Sequence, residues 1–530
     1  MIRALRIAAA ALLFVTQAHA QFLGTSTQEG AGASPLPPDT SMCVAPPTTF
    51  NNVWYVDPVN GHTVTGGGNG SSGSPWNSLQ ALFSSVAGYP GPLLTTASGG
   101  VGPVAPGDEV LLMTGSPTDY GSVTVGSNGV QLANSSYVTI AAAPGQTPNL
   151  YSLHVFNATK FNFVGLTVSG VSSPAHAKNA LIIINTQGGI ITHDIQLNNI
   201  TAYSADDTTR NGWSQADWAT FGRGGIVTQG TVENTVYCIR VSHSEVKSTV
   251  NAAMSVFSDN TTIDNNEFHD WAADALDYAA NNLVIVNNYI HDAYQLSDGA
   301  HVDGMQGFIG RPLYHDILID SNVVNYATKR HNFDTVTALL NGGIDETDQD
   351  WTRVVVTNNV SIFPNHTIDF GDCHDCLIAG NTALPARLFQ DSNQHGGDIS
   401  FFAQGKTFSV SSNAVIKNNY SGAISIDDPT ATVKNNVMST SSIPGGSNFI
   451  SGIGFFSASG TYGDNNVVDT GGIASEVTAF DDSTTFTFDL HLLSSAPARG
   501  AGATTMPMPV TDIVGVLRAP THDSGAYVFP

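Results

Sequence analysis

One short phrase recurs along this chain and constrains its fold more than any other feature. An apolar residue is followed by two others, an Asn, one further residue and a small or apolar one. It reads IDNNEF, IVNNYI, IDSNVV, VTNNVS, IAGNTA, IKNNYS and VKNNVM, with GDNNVV as a degenerate eighth. The Asn positions are Asn266, Asn288, Asn322, Asn359, Asn381, Asn419, Asn436 and Asn466. The apolar residues before them are Ile263, Ile285, Ile319, Val356, Ile378, Ile416 and Val433. Those after are Phe268, Ile290, Val324, Ser361, Ala383, Ser421 and Met438. Earlier segments keep the frame with an apolar residue in place of Asn, in Phe163, Leu166 and Val168 and in Leu197, Ile200 and Ala202.

Asn266 to Asn288 is 22 residues, and Asn359 to Asn381 is again 22. That length suits one coil of three short strands whose alternate apolar residues face inward. Asn-Asn is also a common turn pair. A fixed apolar frame favours instead a buried ladder, because an Asn amide can both donate to and accept from its copies on neighbouring coils. The expected fold is therefore all-β, a single-stranded right-handed parallel β-helix, a solenoid over residues 51–530. Pro75 to Gln80 reads as the start of a short amphipathic helix capping its N-terminal end. Longer spacings, 34 from Asn288 to Asn322 and 38 from Asn381 to Asn419, imply loops on one edge. They begin near Ala205, Ala293, Ala327 and Pro385, each just after the strand that follows the Asn, and would wall a groove.

The N-terminus bounds the compartment. Arg3 and Arg6, the apolar run Ile7 to Val15 and Ala18-His19-Ala20 form a signal peptide over residues 1–20. Residues 21–50 are rich in Gly, Pro, Ser and Thr and read as a linker. A secreted or periplasmic protein without a membrane span is expected. In that compartment Cys43, Cys238, Cys373 and Cys376 are expected as disulfides, with Cys43–Cys238 and Cys373–Cys376 favoured among three pairings. Charged residues make up only 12% of the chain, and 18 Lys and Arg face 43 Asp and Glu, a net charge of −25. That balance excludes nucleic acid as a general partner. An anionic polymer would need a local cationic patch or a bridging cation. A monomer is expected.

Beyond the repeat, YVDPVNG (Tyr55 to Gly61), PGDEVLL (Pro106 to Leu112), YVTIAAAPGQTP (Tyr137 to Pro148), FVGLTVSG (Phe163 to Gly170), SSAPARGAG (Ser494 to Gly502) and DSGAYVF (Asp523 to Phe529) frame nearly all of residues 50–530. On these phrases the chain resembles the secreted right-handed parallel β-helix, pectate-lyase-like superfamily of polysaccharide-active proteins, which includes pectate, alginate and chondroitin lyases. The resemblance implies a polysaccharide partner and leaves the reaction open.

The densest polar phrase runs from Ser297 to Gln306. His301 and Asp303 lie two apart, on one face of an extended strand. Counting from the Asn frame puts Asp274 of DALDY beside Asp303 and Asp277 beside Gln306. Lys329, Arg330 and His331 form the densest cationic cluster, with Arg311 in the preceding turn. A uronan lyase would use His301 or Lys329 as base, and Arg330, Arg311 or a Ca²⁺ held by Asp274, Asp277 and Asp303 to stabilise the developing charge. A glycoside hydrolase would use two of the same carboxylates. Gln306, Arg311, His331 and Tyr278 are expected to bind substrate. A non-catalytic adhesin is the third possibility. Lyase chemistry on a uronic-acid-containing polysaccharide is the first expectation.

Overall fold

The computed structural model describes residues 43–170, 179–230, 235–294, 302–307, 313–325, 350–363 and 373–385. It also describes short strands at 344–346, 368–370 and between 398 and 492, with a few isolated residues beyond. The expected signal peptide, most of the expected linker, Asn419, Asn436, Asn466, His301, Arg311, Lys329, Arg330 and His331 lie outside the described residues. The chain divides into two units. One comprises Pro37–Leu318 and Val323–Gln349; the other contains Ile319–Asn322 and Asp350–Pro530.

From Leu132 onward the chain of the first unit winds through three parallel sheets in rotation, one strand to each per coil. One coil is Thr261–Asp264 in the first sheet, Glu267–Trp271 in the second and Asp274–Tyr278 in the third. Leu283–Val286 then returns to the first sheet, paired in parallel with Thr261–Asp264. Parallel strands joined by crossovers wind right-handed, and the architecture is a parallel β-helix. Its core consists of stacked alternate residues. Val241, Ile263 and Ile285 align in the first sheet, Val246, Phe268 and Ile290 in the second, Met254, Leu276 and Met305 in the third. All are fully buried. Each large apolar side chain so buried stabilises the fold by about 1.5–3 kcal/mol.

The corner between the first and second sheets explains the doubled Asn. Its first residue is left-handed in every coil: Gly165, Asn199, His243, Asn265 and Asn287 have φ between 51° and 69°. Gly and Asn tolerate that conformation best. Its second residue points inward. Asn266 Nδ2 donates to Asn288 Oδ1 at 3.0 Å and to Val241 O at 2.9 Å. Ser244, one coil earlier, starts the ladder by donating its backbone N–H to Asn266 Oδ1. The backbone pairing carries straight through the corner, with Glu267 N donating to Ser244 O and Tyr289 N to Asn266 O.

The second unit repeats this construction. Asn322 Nδ2 donates to Asn359 Oδ1 and Asn359 Nδ2 to Asn381 Oδ1, both at 3.0 Å. All three side chains are fully buried, and Ser321, Asn358 and Gly380 hold the left-handed position. Parallel pairing continues at Ile378 with Ile416 and at Ile416 with Val433. An antiparallel pair, Val477–Asp481 with Thr487–Leu492, follows.

Two expectations about the ends differ from what is found. Pro75 to Gln80 forms no α-helix; a single 3₁₀ turn spans Gln80–Leu82. Trp76, Leu79, Leu82 and Phe83 are all buried, which a one-faced surface helix would not allow. Gln80 instead acts as a surrogate strand, its side-chain amide accepting from Thr124 N and donating to Thr124 O. The last residues of the expected linker are stitched to the first sheet. Cys43 is bonded to Cys238, Val44 N donates to Asp194 Oδ1, and Tyr137 Oη donates to Val44 O. In the second unit Cys373 is bonded to Cys376. Both bridges fit an oxidising compartment. Among the described residues no helix is long and apolar enough to cross a membrane.

Candidate functional site

The insertions begin where the spacing predicts. In the first unit they follow the second-sheet strands Thr201–Tyr203, Tyr289–Ala293 and Val323–Asn325. In the second unit one follows Thr382–Pro385. The first insertion is described throughout. It carries helices Asp207–Asn211 and Gln215–Phe221, the second opened by a reciprocal cap between Ser214 and Asp217. Trp218 is fully buried and packs with Trp213 and Val250 against Ala272 and Tyr294. Val250, Ala272 and Tyr294 each follow a second-sheet strand on successive coils. The insertion therefore walls the edge between the second and third sheets.

Beside that edge lie the predicted carboxylates. The third-sheet register sets Asp274 beside Asp303 and Asp277 beside Gln306. Asp277 is on the outward face, in line with Ser255, whose hydroxyl donates to Asp277 Oδ2 at 3.2 Å. Asp303 N donates to Asp274 Oδ1 at 3.0 Å. Asp274 and Asp277 are hydrogen-bonded to each other. Burial and the charges of Asp277 and Asp303 push Asp274 well above the usual carboxylate range. Burial also raises Asp277, against the bonds it accepts from Asp274 and Ser255.

Two expectations are corrected here. Tyr278 cannot meet a ligand, because strand alternation puts it in the core beside Leu276, with no exposed surface. Asp303 is equally buried and reaches the outer face only through Asp274. Among the described residues no group of three His, Cys, Asp or Glu is arranged to hold a metal. Ile344–Glu346 is a further third-sheet strand. It pairs with the Asp303 strand so that Asp345 stands beside Gln306.

The second sheet bears a cluster that the sequence reading missed. Lys247, His269 and His291 align on successive coils, as do Glu245, Glu267 and Tyr289. The two imidazoles stack at 5.0 Å, with Tyr289 stacked 4.0 Å from His291. His269 bonds Asp270 through Nδ1 at 2.7 Å and Glu245 through Nε2 at 3.1 Å. Glu245 pairs with Lys247 at 2.9 Å, Lys247 with Asp207 at 3.4 Å, and Asp207 with Arg210 at 3.5 Å. Arg210 closes the circuit on buried Asp270. The ring clasps the insertion to the sheet. Burial lowers the His269 pKa, but the bonds to Asp270 and Glu245 outweigh it and hold it at about 9. His269 in turn holds Glu245 at about 2. The missed signal was His-Asp at 269–270 and again 22 residues on at 291–292.

No family model matches the sequence, and no curated protein matches it. Among solved structures it is similar to a pectate lyase, at 13% identity over 93% of this chain and 100% of that one, with a TM-score of 0.40. It is also similar to a mannuronan C-5 epimerase module of Azotobacter vinelandii, at 13% identity over 68% and 89%, TM-score 0.41. A lacto-N-biosidase of Eubacterium ramulus is similar at 12% identity over 79% and 68%, TM-score 0.42. These likenesses are of architecture and assign no residue a role.

Proposed function

We propose that this chain cleaves glycosidic bonds of a polysaccharide by acid–base hydrolysis on the outer face of the third sheet. The observation that carries the reading is the shared hydrogen bond of Asp274 and Asp277. A carboxyl held protonated by burial and like charge is what protonation of a leaving-group oxygen requires. The pair is too close to be both acid and base, since an intervening water needs carboxyls roughly 6.5–9.5 Å apart. It therefore acts as one acid. Asp345 stands two coils from Asp277 in the same register column, with Gln306 between. At about 4.8 Å per coil the backbones are about 10 Å apart, and the Asp345→Asn variant tests whether that position activates water.

Uronan β-elimination, the first expectation from sequence, needs a base and a cation over the sugar carboxylate. The residues offered for it, His301, Lys329, Arg330 and Arg311, lie outside the described residues. The described cluster meets a uronate with negative charge alone. The test is digestion of a polysaccharide panel by the purified chain. New reducing ends without unsaturated sugar, lost in Asp277→Asn and Asp345→Asn, are expected. Unsaturated ends would select the lyase. A panel left intact by the folded chain, yet retained by it, would select an adhesin.

A further inference from the structure

From the reacting carboxylates the third sheet continues through five earlier coils of the same unit. Its outward positions form two columns. The first runs Thr124, His154, Ile183, Val227, Ser255 and Asp277. The second runs Phe156, Asn185, Gln229 and Phe257. Gln229 is exposed, and Ile183, Asn185, Val227, Ser255 and Phe257 are partly so. Up to Asp277 the two columns contain hydroxyls, amides, aliphatic groups, aromatic rings and one His, which bonds Asn185 through Nε2 at 2.9 Å. They contain no Lys, Arg, Asp or Glu.

The described cations of this unit are elsewhere. Among the described residues of the unit they are Lys160, Arg210, Arg223, Arg240 and Lys247. Lys160 and Arg240 stand on first-sheet strands, the first donating to Ser135 O and the second to Asp264. Lys247 and Arg210 belong to the second-sheet ring. Arg223 is buried at the edge and donates to the carbonyls of Tyr151, Asn179 and Ala180. None is left to face a polyanion along the strip, whose far end is acidic.

We infer that the strip is the binding floor of the site and that the polysaccharide it takes is uncharged. This rests on the reading of Asp274 and Asp277 as the reacting pair. A partly apolar surface with a few fixed amides and hydroxyls suits the mixed C–H and O–H faces of neutral sugars. It offers a sugar carboxylate no charge-assisted partner. Successive coils repeat the same surface at a fixed spacing, as successive sugars do.

The test is binding, which is independent of turnover. The full-length Asp277→Asn protein, with its fold checked by thermal melting, is titrated with neutral gluco-, manno-, galacto- and arabino-oligosaccharides. It is also titrated with oligogalacturonate and oligoalginate. At least one neutral series binds, with affinity unchanged between roughly 50 and 500 mM NaCl. Phe257→Ala and Gln229→Ala each weaken it roughly tenfold, about 1.4 kcal/mol. Gln229 is exposed, so its variant tests the floor even if Phe257→Ala fails to fold. Binding of either uronan series with salt-sensitive affinity overturns the inference and points to cations outside the described residues. No binding, or neutral binding untouched by both variants, overturns it as well. Neutral binding lost in the variants, with no cleavage by the parent, upholds the floor and sinks the hydrolase reading instead.

Discussion

The outer faces of the second and third sheets are built on the same coils with the same spacing, yet they treat charge in opposite ways. On the second sheet every acid faces a base: Asp207, Glu245 and Asp270 alternate with Arg210, Lys247 and His269 around a closed circuit. On the third, Asp274 and Asp277 stand side by side, and burial and like charge push Asp274 well above the usual carboxylate range. The first arrangement lowers the energy of the folded chain. The second raises it, and a surface that holds acids in so unfavourable a grouping is where chemistry is to be sought. Conspicuous clusters of charge are therefore not equivalent evidence. What separates them is whether the charges cancel.

The same substitution placed on each face separates them most sharply. Asp274→Asn should lower turnover by on the order of 10²–10⁴-fold and leave the melting temperature at neutral pH unchanged or higher. Asp270→Asn should instead cost about 3–5 kcal/mol, because it strands buried Arg210, and should expose residues 204–222 to proteolysis. Melting curves and digestion rates of both variants check this; a destabilised Asp274→Asn protein would undo the contrast. A smaller effect is expected in the pH dependence of stability, where the signs oppose. His269 is raised from 6.5 to about 9, so its contribution is complete below 6.5 and fades as pH rises through 9. Glu245 is lowered from 4.5 to about 2, so its contribution is present above 4.5 and fades as pH falls through 2. Asp274 is raised above 3.8, so stability declines as pH climbs beyond that value. His269→Gln should flatten the alkaline limb and, because His269 is the main cause of the low Glu245 pKa, weaken the acid limb as well, whereas Asp274→Asn should remove the decline that begins near 4. The smallest effects belong to the corner between the first and second sheets. Asn266→Ala should cost about 1–3 kcal/mol through the stranded ladder partners. Asn265→Ala should cost about 1–2 kcal/mol through its left-handed backbone, and Asn265→Gly less. Denaturant midpoints of the three variants rank them.

The fold was legible because the corner residues repeat while loop lengths vary. The frame around Asn266 and Asn288 located the ladder, and counting from it placed Asp274 beside Asp303. What it could not convey was that the first Asn of each pair serves the backbone and the second the interior, since both read as the same letter. Ile344–Glu346 lies in a long stretch between frames, where no periodicity marks a strand of three residues. Tyr278 was taken for a ligand contact because DALDY mixes faces: Asp277 points out, and the very next residue points in. His269 and His291 escaped notice because they stand one residue beyond the apolar position that closes the phrase. Their meaning came only from Arg210, some sixty residues away in sequence and inside an insertion.

The left-handed corner has a consequence for how such a chain can change over generations. Each coil passes through a position, Asn199, His243, Asn265 or Asn287, whose backbone is fixed and whose following side chain must enter the interior. Whatever length is added at the opposite edge, the count begins again there. An insertion of two residues or of twenty is invisible to the next coil, because no phase error is handed on. The walls of the groove can therefore be rewritten one at a time, by gain or loss of whole segments, without renegotiating the sheets beneath them. A chain built this way keeps a permanent floor and interchangeable walls, and new specificity requires editing only the latter.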